Sequence, residues 1–272
     1  MTKILILNDL HLGTSRESNT HPGIIRQGNN ETADVLASYI PKFNLGKYDL
    51  IMNLGDAIRD TGTIESDIIL LESSLSMFNK IHGQKVFIPG NHEYKEMKEG
   101  DIVSTMRKVG LHNDLNGSLI LNGTQFVWIK SEIGERDIAT IGKETLTWLD
   151  ETIDPNLKVV LFSHYSAVDL DGKDNFYFAD GYKYMSYTNS RELLTILNKC
   201  KSVITINAHT HMSTHKITNN IHSISALSFC ENITALKYPD ANPGVYSELE
   251  IEHGKTIFRS YSGEFCFLNI EL

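Results

Sequence analysis

Short apolar runs recur along this chain, and each ends in polar residues of a kind that binds metal ions. Run 4–7 leads into Asn8-Asp9-Leu10-His11, run 48–54 into Gly55-Asp56, and run 85–89 into Gly90-Asn91-His92-Glu93. Run 158–162 leads into Ser163-His164, and run 202–206 into Asn207-Ala208-His209-Thr210-His211. Brief runs rich in Ile, Leu and Val read as strands buried on both faces. Between them lie segments with apolar residues at helical spacing. These are 32–43 (Ala33, Leu36, Ala37, Ile40), 66–81 (Ile69, Leu70, Leu75, Phe78), 143–152 (Leu146, Leu149) and 190–199 (Leu193, Leu194, Leu197, capped by Ser190). A weaker helix is expected over 100–109. Strand alternating with helix implies parallel strands joined by crossovers, and such sheets bind ligands at the carboxyl ends of their strands.

The first run makes the chemistry specific. In an extended segment residues i and i+2 point the same way. Asp9 and His11 are therefore expected to aim a carboxylate oxygen and an imidazole nitrogen together, the beginning of a transition-metal site. One such pair means little. Metal-type residues at five strand ends are a pattern that turn chemistry alone does not produce.

The rest of the chain frames these runs. Residues 15–30 read as a loop, and Asn122-Gly123-Thr124 as the turn of a hairpin between 119–121 and 125–129. Segment 169–188 is a long insertion with Phe176, Tyr177, Phe178, Tyr182, Tyr184 and Tyr187. From 214 onward the texture changes to short alternating runs, with a hairpin around His253-Gly254. No repeat or linker is visible. The expectation is a single domain over 1–272, with the motifs in 1–212 and antiparallel strands of 213–272 completing a second sheet.

Composition excludes several classes. The net charge of −9 opposes binding to long nucleic acid, which requires many phosphates to be neutralised. No apolar run is long enough to span a membrane. Met1-Thr2-Lys3 leads straight into the first strand with no cleavable leader, so a cytoplasmic location is expected. Cys200, Cys230 and Cys266 are odd in number and widely spaced, and read as reduced, packed residues.

The ordered set Asp9-Leu10-His11, Gly55-Asp56, Gly90-Asn91-His92-Glu93, His164 and Ala208-His209-Thr210-His211 resembles the calcineurin-like metallophosphoesterases. It departs from their pattern at Ala208, where Gly is usual, which puts that loop's conformation in question. The resemblance implies an α/β fold in which two mixed sheets form a β-sandwich flanked by helices, a four-layer αββα arrangement. It implies two ions, of Mn, Fe, Zn, Co or Ni. Asp9, His11, Asp56 and His211 would hold one, and Asp56, Asn91, His164 and His209 the other. It implies hydrolysis of a phosphoester by a hydroxide shared between the ions, with His92 assisting the leaving group. Glu93 is either the partner that fixes the His92 tautomer or a helix-start carboxylate.

Among small chains of this kind, the expected substrate is a small phosphodiester. Phosphomonoesterase, protein phosphatase, exonuclease-like nuclease and non-catalytic scaffold are the alternatives. Arg59, His21 and His215 lie near the motif loops and are candidates for substrate contact. The aromatic insertion is placed to wall the site, to pack on its own aromatics or to form a subunit interface, which leaves a homodimer open.

Overall fold

The computed structural model describes residues 1–13, 28–173, 175, 177–178, 184–233, 239–240, 243–252 and 254–272. The expectations for the loop 15–27, including His21, and for Phe176, Tyr182 and His253 lie outside the described residues. In chain order the elements are β1 (Thr2–Leu7), α1 (Gly28–Leu45), β2 (Leu50–Asn53), α2 (Ile64–Asn79), β3 (Lys85–Phe87) and α3 (Glu99–Lys108). There follow β4 (Gly117–Leu121), β5 (Thr124–Trp128), β6 (Glu132–Ile133), β7 (Ala139–Thr140), α4 (Lys143–Thr152), β8 (Lys158–Ser163), α5 (Ser190–Leu197) and β9 (Ser202–Asn207). The last part holds β10 (Thr214–Thr218), β11 (Ile221–Ser225), β12 (Asn232–Ile233), β13 (Pro239–Asp240), β14 (Val245–Glu252), β15 (Lys255–Ser262) and β16 (Phe265–Glu271). Helix α5 starts at Ser190, but its cap position is Asn189 and no side chain closes it, so the expected Ser190 cap is not formed.

Two six-stranded sheets carry the fold, in the orders β16-β15-β14-β1-β2-β3 and β10-β11-β9-β8-β5-β4. In the first, β1, β2 and β3 are parallel and the meander β14–β16 is antiparallel. In the second, β5, β8, β9 and β11 are parallel and only the edges β4 and β10 run against them. The tail therefore differs from expectation. Its strands divide between the sheets, β10 and β11 going to the second and β14–β16 to the first. The reason lies in β1, which is buried and has β2 on one side only; without β14 its other ladder edge would be unpaired.

Side-chain alternation in β1 separates the layers. Ile4 and Ile6 face the second sheet, in one core with Val160, Phe162, Ile204, Leu249 and Phe258. Leu5 and Leu7 face the other way, in a core with Leu36 and Phe43 of α1, Leu71, Leu75 and Phe78 of α2, and Ile102 of α3. On the far side of the second sheet, Val159, Leu161 and Val203 pack with Leu146 and Leu149 of α4 and Leu193 and Leu197 of α5. The result is two mixed sheets face to face, flanked by the five described helices. Fully burying one such side chain stabilises the fold by about 1.5–3 kcal/mol, so the layers fix the strand ends firmly. Cys200 and Cys230 are buried, whereas Cys266 on β16 is exposed rather than packed. No described helix is long and apolar enough to cross a membrane.

Candidate metal centre

The loops after β1 and β2 run on side by side beyond their strands. Asp9 donates its N–H to the Gly55 carbonyl (2.9 Å), His11 to that of Asp56 (2.9 Å), and Leu12 to that of Ala57 (3.1 Å). Strand β1 has already ended at Leu7, so Asp9 and His11 do not converge by strand alternation as expected. Asp9 has φ 50° and His11 φ 45°, in the left-handed region. Asp56 (φ 50°), His209 (φ 70°) and His211 (φ 51°) share this conformation. Ala208 does not: its backbone is outside the left-handed region that would require Gly, and its side chain is fully buried in the inter-sheet core.

Two glycines allow the loops to meet. A Cβ on Gly55 (φ 99°) would lie 2.4 Å from the Gly90 nitrogen and 2.9 Å from His164 Nδ1. A Cβ on Gly90 would lie 2.3 Å from Asp56 Oδ1. Glu93, fully buried, ties the same loops together. Its carboxylate accepts N–H groups from Asp56 (3.0 Å), Ala57 (2.7 Å), Ile58 (3.3 Å) and Gly90 (2.7 Å). Neither expected role of Glu93 is the observed one: it clamps two backbone loops. The partner of His92 is Asp60, whose Oδ1 lies 2.5 Å from His92 Nδ1.

The donors converge from both sheets. Asp9, His11 and His211 offer one group of mutually close ligand atoms; Asp56, His164 and His209 offer another; and His11, Asp56 and His92 lie between them. His11 Nε2 is 3.1 Å from His211 Nε2 and 3.8 Å from Asp56 Oδ2. His211 Nε2 is 3.7 Å from Asp9 Oδ1. Across Asp56, His164 Nε2 lies 3.4 Å from the same Oδ2 and 3.2 Å from Asn91 Oδ1. The outer nitrogens set the tautomers. His164 Nδ1–H donates to the Leu54 carbonyl (2.7 Å) and His209 Nε2–H to that of Tyr184 (2.8 Å).

This donor set fits a cation. His164 Nε2 and Asn91 Oδ1 face each other at 3.2 Å, and the two Nε2 atoms of His11 and His211 at 3.1 Å. Their spacing suits neighbouring ligands on an ion with bonds of about 2.1 Å. The proton balance agrees. Burial, reinforced by Asp56 against the pull of His164, pushes the Asp9 carboxyl up to about 7. Burial opposes ionisation of Asp56 too, yet His164, His92 and His11 hold it well below the usual carboxylate range. Burial resists protonation of His164, but Asp56 and Asp9 lift it to about 9; burial and His164 push His209 down to about 3. Too many carboxylates and lone pairs compete for too few protons, and divalent ions satisfy such a cluster.

A cleft of about 330 Å³ opens above the donors, lined also by Arg136, Asp137, Tyr177, Phe178 and Tyr184. Part of the aromatic insertion thus walls the site, while Tyr187 is buried in the core with α4 and α5. Asp9, His11, Asp56, Asn91, His92, His164, His209 and His211 all gather here. Arg59 does not line the cleft. His215 sits on the edge strand β10, exposed, its ring stacked on His222 (centroids 5.4 Å apart). Asp60, Arg136 and Glu231, whose Oε1 lies 3.8 Å from His211 Nδ1, were missed in the sequence. Asp60 had a signal in its spacing of four from Asp56, and Glu231 in being a lone carboxylate after Ala226-Leu227-Ser228-Phe229-Cys230. Arg136 had none.

A family model for calcineurin-like phosphoesterases matches residues 2–213. No curated protein matches by sequence. Among solved structures, a dimetal phosphatase from Danio rerio superposes with a TM-score of 0.75 at 12% identity, over 99% of this chain and 98% of that one. A purple acid phosphatase from yellow lupin (Lupinus luteus) seeds gives 0.65 at 12% identity, over 99% of this chain and 53% of that one. A phosphopantetheinyl hydrolase from Mycobacterium tuberculosis gives 0.51 at 12% identity, over 84% and 90%. At these identities the likeness is one of fold. With the family match covering the strands and loops that gather the donors, the chain belongs to the calcineurin-like phosphoesterases, a family of metal-dependent phosphohydrolases.

Proposed function

We propose that the chain is a two-ion phosphodiesterase for a small substrate. Asp9, His11, Asp56 and His211 would hold one ion, and Asp56, Asn91, His164 and His209 the other. The observation that carries this reading is the place of Asp56. Its Oδ1 accepts the His92 N–H (2.9 Å), while its Oδ2 faces both His11 Nε2 (3.8 Å) and His164 Nε2 (3.4 Å). One oxygen is therefore shared by the two donor groups. When bound, such ions supply a nucleophile from water at neutral pH and neutralise phosphoryl charge.

The chain's own residues do the rest. Burial would raise the Asp60 carboxyl, but the His92 imidazole, with Arg59 and Lys95 nearby, holds it at about 2. A permanent carboxylate at Nδ1 fixes the His92 ring with Nε2 3.9 Å from Asp56 Oδ2, on the cleft side. From there an imidazolium hands its proton to the departing oxygen. Asp137 is paired with Lys95, which leaves Arg136 as the cation at the mouth among the described residues. That balance suits the single charge of a diester better than the double charge of a monoester. The volume is at the small end for ligand sites and favours a small molecule over a polymer.

The test is hydrolysis by manganese-loaded protein of bis(4-nitrophenyl) phosphate against 4-nitrophenyl phosphate. The diester is expected to react faster, and turnover of the monoester alone would overturn the reading. His92→Ala is expected to retain both ions yet lose about 10²–10⁴-fold in kcat, most for poor leaving groups. Loss of an ion in that variant would make His92 a ligand rather than an acid.

A further inference from the structure

Two stretches of chain close on His211 from behind. Segment 228–232 is stitched to the loop of Asp9. Phe229 N–H donates to the Asn8 carbonyl (2.9 Å), and Cys230 N–H (3.2 Å) and Ser228 Oγ (3.1 Å) both donate to the Asp9 carbonyl. Asn232 closes the turn, accepting the Ser228 N–H and donating to its carbonyl, both at 2.8 Å. The turn delivers Glu231, fully buried, with Oε1 3.8 Å from His211 Nδ1. From the other side, Tyr177 donates its hydroxyl to the same Oε1 at 2.7 Å. Buried Asn175 anchors that stretch by donating to the Thr210 carbonyl (2.7 Å), between His209 and His211.

A carboxylate behind a ligand imidazole orients the ring and raises its basicity; at 3.8 Å Glu231 acts on His211 through its charge rather than through a formed hydrogen bond. Among the described residues, His164 and His209 are backed by carbonyls, which contribute a dipole and no charge. Asp56 is common to both donor sets, so the Asp9–His11–His211 side carries two further carboxyl groups, Asp9 and Glu231, and the other side carries none. We infer that Glu231 is a positioning residue for His211 that makes the Asp9–His11–His211 group the tighter cation site, with Tyr177 holding Glu231 in place. The inference rests on the two-ion reading above. Glu231 lies beyond the matched residues 2–213.

The test is Mn²⁺ titration by calorimetry, with elemental analysis, on wild type, Glu231→Gln and Tyr177→Phe, together with the unfolding midpoint of each metal-free protein. Wild type is expected to take up two ions of unequal affinity. Glu231→Gln is expected to weaken the tighter step by about 10–100-fold, leave the weaker step in place, and unfold no earlier than wild type. Tyr177→Phe is expected to move the same step in the same direction by less. An unchanged tighter step in Glu231→Gln, or equal weakening of both steps, overturns the inference. If Glu231→Gln fails to fold, an unchanged tighter step in Tyr177→Phe overturns it instead. Uptake of fewer than two ions by wild type overturns the two-ion reading, and is seen before any variant is compared.

Discussion

Five donor residues hold a backbone conformation that costs about 1–3 kcal/mol each away from glycine. Asp and His tolerate it better than most residues, and here it turns successive side chains toward one point. The strain is borne by what surrounds it, above all by Glu93. Glu93→Gln replaces a carboxyl group whose two oxygens accept N–H groups from two loops with an amide whose NH₂ opposes them. Metal-free protein is expected to lose about 2–3 kcal/mol in urea unfolding. Gly90→Ala should act more locally, since its new Cβ meets Asp56 Oδ1 at 2.3 Å. Its expected signature is metal uptake weakened by about tenfold or more, with the fold retained by circular dichroism. The donors themselves were legible in the sequence because their spacing repeats at strand ends. Asp60, Glu93 and Glu231 were legible only in part, because their roles depend on which loops meet.

Elements were legible where the signal is local. The apolar run predicted β1 as a strand buried on both faces, and helical spacing in α4 and α5 predicted both the element and its buried face; in α2 the expected Ile69 is exposed and Leu71 is in the core instead. Which sheet the tail joins was not legible, because pairing between distant strands leaves no local mark. Leu249 of β14 shows what that pairing contributes. It is fully buried between the sheets opposite Ile4, and Leu249→Ala is expected to cost about 2–5 kcal/mol by chemical denaturation. The aromatic insertion works through its anchors as well as its wall. Asn175→Ala removes two hydrogen bonds of about 1 kcal/mol each, one to the Thr210 carbonyl and one from the Tyr177 N–H. Amide exchange over 209–211 is expected to quicken by roughly fivefold, while the exchange of β8 and β9 stays slow.

At the scale of the whole molecule, the sandwich presents the ends of strands from both sheets along one edge, and bound ions would pin that edge. Chelation should lower the unfolding midpoint, since each ion bound only to the folded state adds about 4 kcal/mol at a thousandfold excess over its Kd. Exchange should rise first in the strand-end loops, and a midpoint indifferent to chelator would count against metal binding. The placement of β14 beside β1 also sets an order of events. Ile4 pairs with Leu249, so about 245 residues separate partners in adjacent strands. Pairs so distant in sequence form slowly. During synthesis at about 5–20 residues per second, β1 waits roughly 10–50 s for its neighbour. Asp9 and His11 hang from that waiting strand, so the metal-binding edge is completed among the last parts of the molecule. A fragment cut at residue 213 would keep every strand-end motif and still leave the first strand with an open side.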